Sequence, residues 1–160
     1  MNEDKSTRYH RLRRRADLLG MAIAGFVLVA LILTGAGLRM REWAAAVSSF
    51  MPGGLDDVMT VVVLTAMLVL LLQVVEFPIA FYQGHLLEHH YGLSTQSAGH
   101  WMADQAKGVL LGLALTILGA SVAFVTLRNW PDQWWWLSAA VFTVGIVGLA
   151  QLAPVVLLPI

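Results

Sequence analysis

One five-residue run carries the side chains of a metal site: His85-Leu86-Leu87-Glu88-His89. On a helix, positions i, i+3 and i+4 share a face, so both imidazoles and the carboxylate could turn toward one cation. Neutral imidazole and ionised carboxylate are good zinc ligands, and H-x-x-E-H is a known zinc-peptidase pattern. That pattern takes a third ligand from a glutamate further along the chain. No glutamate follows Glu88; Asp104 and Asp132 are the only carboxylates downstream, and Asp132 is expected on the other side of a membrane. A polar helix end with unrelated histidines is therefore the favoured reading, because short motifs match by chance very often.

The same segment holds most of the remaining candidates. Of five histidines, His85, His89, His90 and His100 lie between Glu76 and Lys107, with Trp101 and Asp104 beside them. Glu76 sits at the end of an apolar run, where an ionised group at depth costs several kcal/mol by roughly the insertion scales. Pro78 follows it and removes one helical donor, so a kinked helix with an interfacial carboxylate is expected. Ser94, Thr95 and Ser97 lie near His100, but no nucleophile–base–orienter set can be assembled from them. The simpler pattern has Gly92 ending one helix and Ser94 capping the next, which starts at about Thr95. On that helix Asp104 and Lys107 are three apart and can pair. H-E-x-x-H, a P-loop and a dinucleotide fingerprint are all absent from the sequence.

What positions these residues is a set of membrane helices. The chain has 160 residues, 58% apolar and 12% charged, with mean hydropathy +0.71; soluble domains carry roughly 25% charged residues. No Asp, Glu, Lys or Arg occurs in 18–38, 58–75, 109–127 or 133–160. About 20 apolar residues cross a hydrocarbon core, so an all-α fold with four transmembrane helices is expected, over about 18–38, 58–82, 109–127 and 134–158. Residues 1–17 form a basic flank, residues 18–160 one membrane domain, and residues 83–108 the loop between the second and third spans. An ordinary soluble globule, a disordered tail and a nucleic-acid module are excluded by this patterning and by a net charge of zero.

Lys5, Arg8, Arg11, Arg13, Arg14 and Arg15 precede the first span, against Arg39 and Arg41 after it, Lys107 before the third span and Arg128 after it. The positive-inside rule then places both termini and the 83–108 loop in the cytoplasm. The first apolar run is too long for a cleaved signal peptide. Trp130, Trp134, Trp135 and Trp136 mark the outer interface. Asn129–Asp132 and Met51–Gly54 read as tight turns, and Asp56 and Asp57 open the second span at its positive end. With no cysteine in the chain, disulfides and thiolate zinc sites are excluded.

Taken together, three stretches form a recognisable series. They are Pro78-Ile79-Ala80-Phe81-Tyr82, Leu87-Glu88-His89-His90-Tyr91-Gly92-Leu93-Ser94-Thr95-Gln96 and Trp101-Met102-Ala103-Asp104-Gln105-Ala106-Lys107. The series resembles the N-terminal membrane region of the CAAX prenyl protease family of integral-membrane zinc metallopeptidases. Ala153-Pro154-Val155-Val156-Leu157-Leu158-Pro159 matches the element that follows the next pair of spans in that family, and the likeness runs from about 58 to 160. It implies a downstream metallopeptidase domain carrying H-E-x-x-H and zinc, a peptide or protein substrate, and a chamber enclosed by the spans. No zinc ligand or catalytic base has a counterpart here, so the chain alone is expected to be inactive and to need no cofactor.

By resemblance, Glu88, Tyr91, Gly92, Gln96, Asp104, Lys107, Pro154 and Pro159 shape the chamber mouth and dock the protease domain, with no chemical step of their own. The chain is expected to stop short of the catalytic domain, with the lipid bilayer and that domain as partners and no nucleic acid. A bacterial inner membrane is favoured over the endoplasmic reticulum. Two other readings stand beside it: a free-standing four-helix scaffold or carrier, and a zinc enzyme built on His85, Glu88 and His89.

Overall fold

The computed structural model describes residues 5–50, 55–93 and 95–157, and among these it contains helices, turns and bends with no strand. Four helices are long and apolar enough to cross a membrane: Thr7–Leu33, Asp56–His90, Ala98–Asn129 and Trp134–Gln151. The all-α expectation with four spans holds. The bounds of the elements differ from the sequence reading in three instructive places.

The first is the basic flank. Helix α1 runs Lys5–Leu33 without interruption, so the arginines ride on a helix that continues out of the apolar stretch. Arginine and leucine are good helix formers, and nothing between Lys5 and Leu18 breaks the ladder.

The second is the far end of the first span, where an unbroken helix over 18–38 is expected. The ladder stops at Thr34: its hydroxyl donates to the Ala30 carbonyl at 2.6 Å, and Gly35 turns left-handed at φ 71. A threonine that back-bonds to the previous turn, followed by glycine, offers the chain an exit from the helix. A separate helix, α2 (Ala36–Ser48), then packs along α3 (Asp56–Phe81), with small residues Ala44 and Ser48 buried. Small side chains of this kind let membrane helices approach closely.

The third is the 83–108 stretch, most of which is helical. Helix α3 runs through Pro78 and passes directly into a π-helical turn, Tyr82–Leu87, and then a final turn α4, Glu88–His90. Helix α5 begins at Ala98 and ends at Asn129. Its cap is Ser97, whose Oγ accepts the His100 N–H at 3.4 Å; Ser94 lies outside the described residues. Among the described residues of this stretch only 91–93 and 95–97 are non-helical, and the helix ends on either side project beyond the apolar stretches. At the opposite end, the Trp130 N–H bonds Thr126 O at 2.8 Å and the Gln133 N–H bonds Trp130 O at 3.0 Å, which makes the expected tight turn into α6, Trp134–Leu157. Met51–Gly54 falls outside the described residues.

Packing follows chain order. Helix α3 is the centre, with α1, α2 and α5 against it, and α6 touches α5 alone among the described elements. The molecule therefore has a basic end, holding the start of α1, the π turn, α4 and the start of α5. It also has a tryptophan end, where α5 meets α6 and Arg128 reaches Asp57 of α3 at 2.6 Å.

Candidate functional site at the basic end

Helix α1 is tied to the end of α3 by polar contacts that its arginine run alone did not disclose. Gln83 donates through Nε2 to the Arg13 carbonyl at 3.2 Å and to Asp17 Oδ1 at 2.9 Å. The Arg13 guanidinium donates to the Tyr9 hydroxyl at 2.8 Å and stands 4.0 Å from Glu88 Oε1. Tyr9 is buried and meets the Tyr91 ring edge-on, centroids 5.5 Å apart. Glu88 and Tyr91 are thereby fixed against α1. The sequence signal for this was slight: a single Asp17 closing an arginine run, and a tyrosine one helical turn before Arg13.

Gly92 ends α4 as expected, with φ 68. The Leu93 N–H reaches the Glu88 carbonyl at 2.9 Å and the Gly92 N–H reaches His89 O at 3.1 Å. This double bond pattern is the Schellman cap, which needs a left-handed residue that glycine adopts without a Cβ penalty.

Between α3 and α5 lies an aromatic cluster centred on Trp101, itself buried. Its ring centroid is 5.4 Å from Phe81 in a T-shaped contact, 6.2 Å from Phe77 and 6.4 Å from His85. Gly84 makes the approach achievable. A Cβ at position 84 would stand 2.6 Å from the indole Nε1, so only a residue without one fits. Neither Gly84 nor Trp101 was singled out by spacing as a packing pair, because they sit on different helices and one of them in a π turn.

On the α5 side, Asp104 is held by two donors. Lys107 Nζ lies 3.1 Å from Oδ1 and Gln96 Nε2 lies 2.8 Å from Oδ2. These hydrogen bonds, from Lys107 first and Gln96 second, with the Lys107 charge behind them, hold the Asp104 carboxyl below its ordinary value of 3.8. Asp104 lies on the projecting end of α5, ahead of the apolar stretch 109–127.

The H-x-x-E-H run is helical, but it does not assemble a metal site. The rings of His85 and His89 are adjacent, 4.4 Å between centroids, yet His89 Nδ1 lies 3.1 Å from the His85 carbonyl oxygen and Glu88 is directed to Arg13. His85 Nδ1 is buried among the aromatic rings with no hydrogen-bond partner. Among the described residues no three His, Asp or Glu side chains converge on a point where a metal ion could sit. As arranged among the described residues, His85, Glu88 and His89 do not fit zinc.

The structure thus gathers Glu88, Tyr91 and Gly92 at one side of the basic end and Gln96, Asp104 and Lys107 at the other. Pro154 lies in α6, away from both groups in the chain, and Pro159 is outside the described residues. A family model described as CAAX prenyl protease N-terminal, five membrane helices, matches residues 2–160. The chain belongs to this family. Neither the curated proteins nor the solved structures give a match. Where the family description counts five membrane helices, the described residues of this CAAX protease region hold four long apolar ones. The remaining helix, α2, has 13 residues and is too short to cross alone.

Proposed function

We propose that this chain is the membrane half of a CAAX-prenyl-protease-like zinc endopeptidase, and that its basic end is the platform on which the catalytic domain rests. The family implies that domain downstream, with zinc and the H-E-x-x-H glutamate supplied there. No step of bond cleavage is assigned to the residues of this chain. Their part is positional: the spans help to enclose a substrate chamber, and the basic end faces the cytoplasm, as the arginine bias directs.

The observation that carries the reading is the construction of that end. Helix α1 is held to the end of α3 by the Gln83–Asp17 hydrogen bond and the Arg13–Glu88 pair, and α5 packs on α3 through Trp101 against Phe77 and Phe81. The Gln96–Asp104–Lys107 contacts tie the start of α5 to the chain just before it, and a glycine cap stops the chain between α4 and α5. Precise docking needs support that does not move, and an end tied in this way offers it. The side chains of Arg13, Asp104 and Lys107 are each more than half exposed, which leaves their outer sides available to a neighbour.

The test uses the full-length protease. Glu88→Ala and Asp104→Ala are each expected to lower turnover of a prenylated peptide about tenfold, the effect of losing one contact worth about 1.4 kcal/mol. Membrane insertion and expression should stay at the wild-type level. Unchanged turnover in both variants would remove the docking role.

A further inference from the structure

We propose that the groove between α1 and the π-turn end of α3 binds an anionic glycerophospholipid, with Arg8 and Arg15 holding its phosphate. The inference does not depend on the protease reading.

Two cavities, of about 340 and 530 Å³, adjoin along this groove and share Leu12 and Tyr82 as lining residues. Each is within the range of pockets that take small organic molecules. Arg15 lines the one nearer the apolar stretch and Arg8 the other. The two arginines are seven residues apart, two turns on one face of α1, hence about 10 Å along the axis. Both are exposed, and neither has a hydrogen-bond or ion-pair partner among the described residues. No carboxylate lines either cavity.

The other flank of the same helix is different. Arg13 there is answered by Glu88 and by the Tyr9 hydroxyl, and the adjoining cavity includes Asp17. Arg14 also lines the cavity on this flank, but Asp17 stands in it, whereas the groove of Arg8 and Arg15 is lined by no carboxylate. Below it the floor turns apolar, with Leu19, Pro78 and Ile79 at the membrane side, and His90 and the Tyr82 hydroxyl add hydrogen-bonding groups at the upper part. A cationic lip above an apolar floor, placed where a helix leaves the hydrocarbon, complements an amphiphile with a negative head. Basic pockets between membrane helices take phospholipid headgroups for this reason. A free phosphate ion would use the arginines and leave the floor bare.

The purified protein is reconstituted in phosphatidylcholine nanodiscs containing phosphatidylglycerol, and the lipid that it retains is read by native mass spectrometry. The wild type should retain phosphatidylglycerol preferentially. Arg8→Gln/Arg15→Gln should weaken that retention about thirtyfold, the effect of two basic side chains at an anionic surface. Arg11→Gln/Arg14→Gln, which removes the same charge outside the groove, should cost clearly less than that, because these side chains contribute only diffuse attraction to the anionic surface. Arg8→Lys/Arg15→Lys keeps the charge and should preserve most of the binding. Leu12→Gln should reduce phosphatidylglycerol retention and leave circular dichroism unchanged. Equal losses in the two glutamine pairs would reduce the effect to diffuse surface charge and overturn the site. So would retention that survives Arg8→Gln/Arg15→Gln, indifference to Leu12→Gln, or displacement of the lipid by inorganic phosphate.

Discussion

The basic end and the membrane-spanning body of this molecule are held together by different means. At the basic end Leu87 is 3% exposed and Trp101 9%, α1 is joined to the end of α3 by hydrogen bonds and an ion pair, and α5 is packed on α3 through the Trp101 ring cluster. Along the spans Met21, Ile32 and Val144 are each more than 70% exposed, and none of the first three apolar windows has a buried residue. The contrast follows from the solvent. In water, apolar faces are driven together; in lipid the tails are as apolar as the helices, and association rests on packing and a few polar contacts. The spans therefore leave wide faces for lipid or further helices, while the position of one helix relative to another is set mainly where they emerge.

The largest expected effect is at the point where that fastening is tightest. Gly84→Val places a side chain in the Trp101 indole, which is itself pinned by Phe77 and Phe81. Overpacking of this kind costs about 1–3 kcal/mol. Gly108→Ala, on α5 with open space around it, should be neutral or gain up to about 1 kcal/mol from helix propensity. Thermal unfolding in a neutral detergent, followed by near-ultraviolet circular dichroism of the tryptophans, reads both. Equal midpoints for the two variants would erase the difference between a tied end and a loose body.

Much of this architecture was legible beforehand. Four charge-free stretches and the tryptophan cluster define the spans and one interface, because a bilayer penalises charge at depth in a way that sequence displays directly. Gly92 was legible as a helix stop and Asp104–Lys107 as a pair, since both depend on local spacing. What was not legible depends on contacts across helices. The Gln83–Asp17 and Arg13–Glu88 links join residues more than 60 positions apart, and no local pattern marks them. The break at Thr34-Gly35 hid inside an apolar run, because hydropathy registers polarity and is blind to a left-handed glycine. The H-x-x-E-H run has its helical spacing, yet Glu88 is engaged elsewhere; a motif states which groups share a face and not what else is near them.

A smaller effect is expected at the tryptophan end. Thr126 and Ser138 join α5 to α6 by a buried hydroxyl–hydroxyl hydrogen bond of 2.7 Å, and Thr126 also bonds the Val122 carbonyl in its own helix. Because Thr126 keeps a partner when Ser138 is lost, the bond between helices is worth little: about 0.6 kcal/mol, the average for such bonds in membranes. A double-mutant cycle of Thr126→Val and Ser138→Ala, on stability in detergent, measures it. A coupling above about 2 kcal/mol would exceed the usual range for membrane proteins. It would show the spanning body to be as firmly specified as the basic end.

The smallest effect concerns pH, and it separates the two sides of the basic end. Asp104 is held below 3.8 by Lys107 and Gln96, so the unfolded chain accepts the proton first as the solution is acidified. The contribution of this carboxylate is then fully present above 3.8 and is lost as pH falls through the lower folded value. Its side chain is solvent-exposed, and water and salt screen the pair, so the loss is local. The protection of the amides in 95–97 against hydrogen exchange, taken relative to the intrinsic rate at each pH, should be unchanged from neutral pH down to 3.8 and should fall only below it. Asp104→Asn, which keeps the shape and removes the charge, should lack that protection at every pH. Loss of that protection in the wild type at or above 3.8 would mean that Gln96 and Lys107 do not hold the carboxylate ionised. The α5 side of the platform would then be no firmer than the spans beneath it.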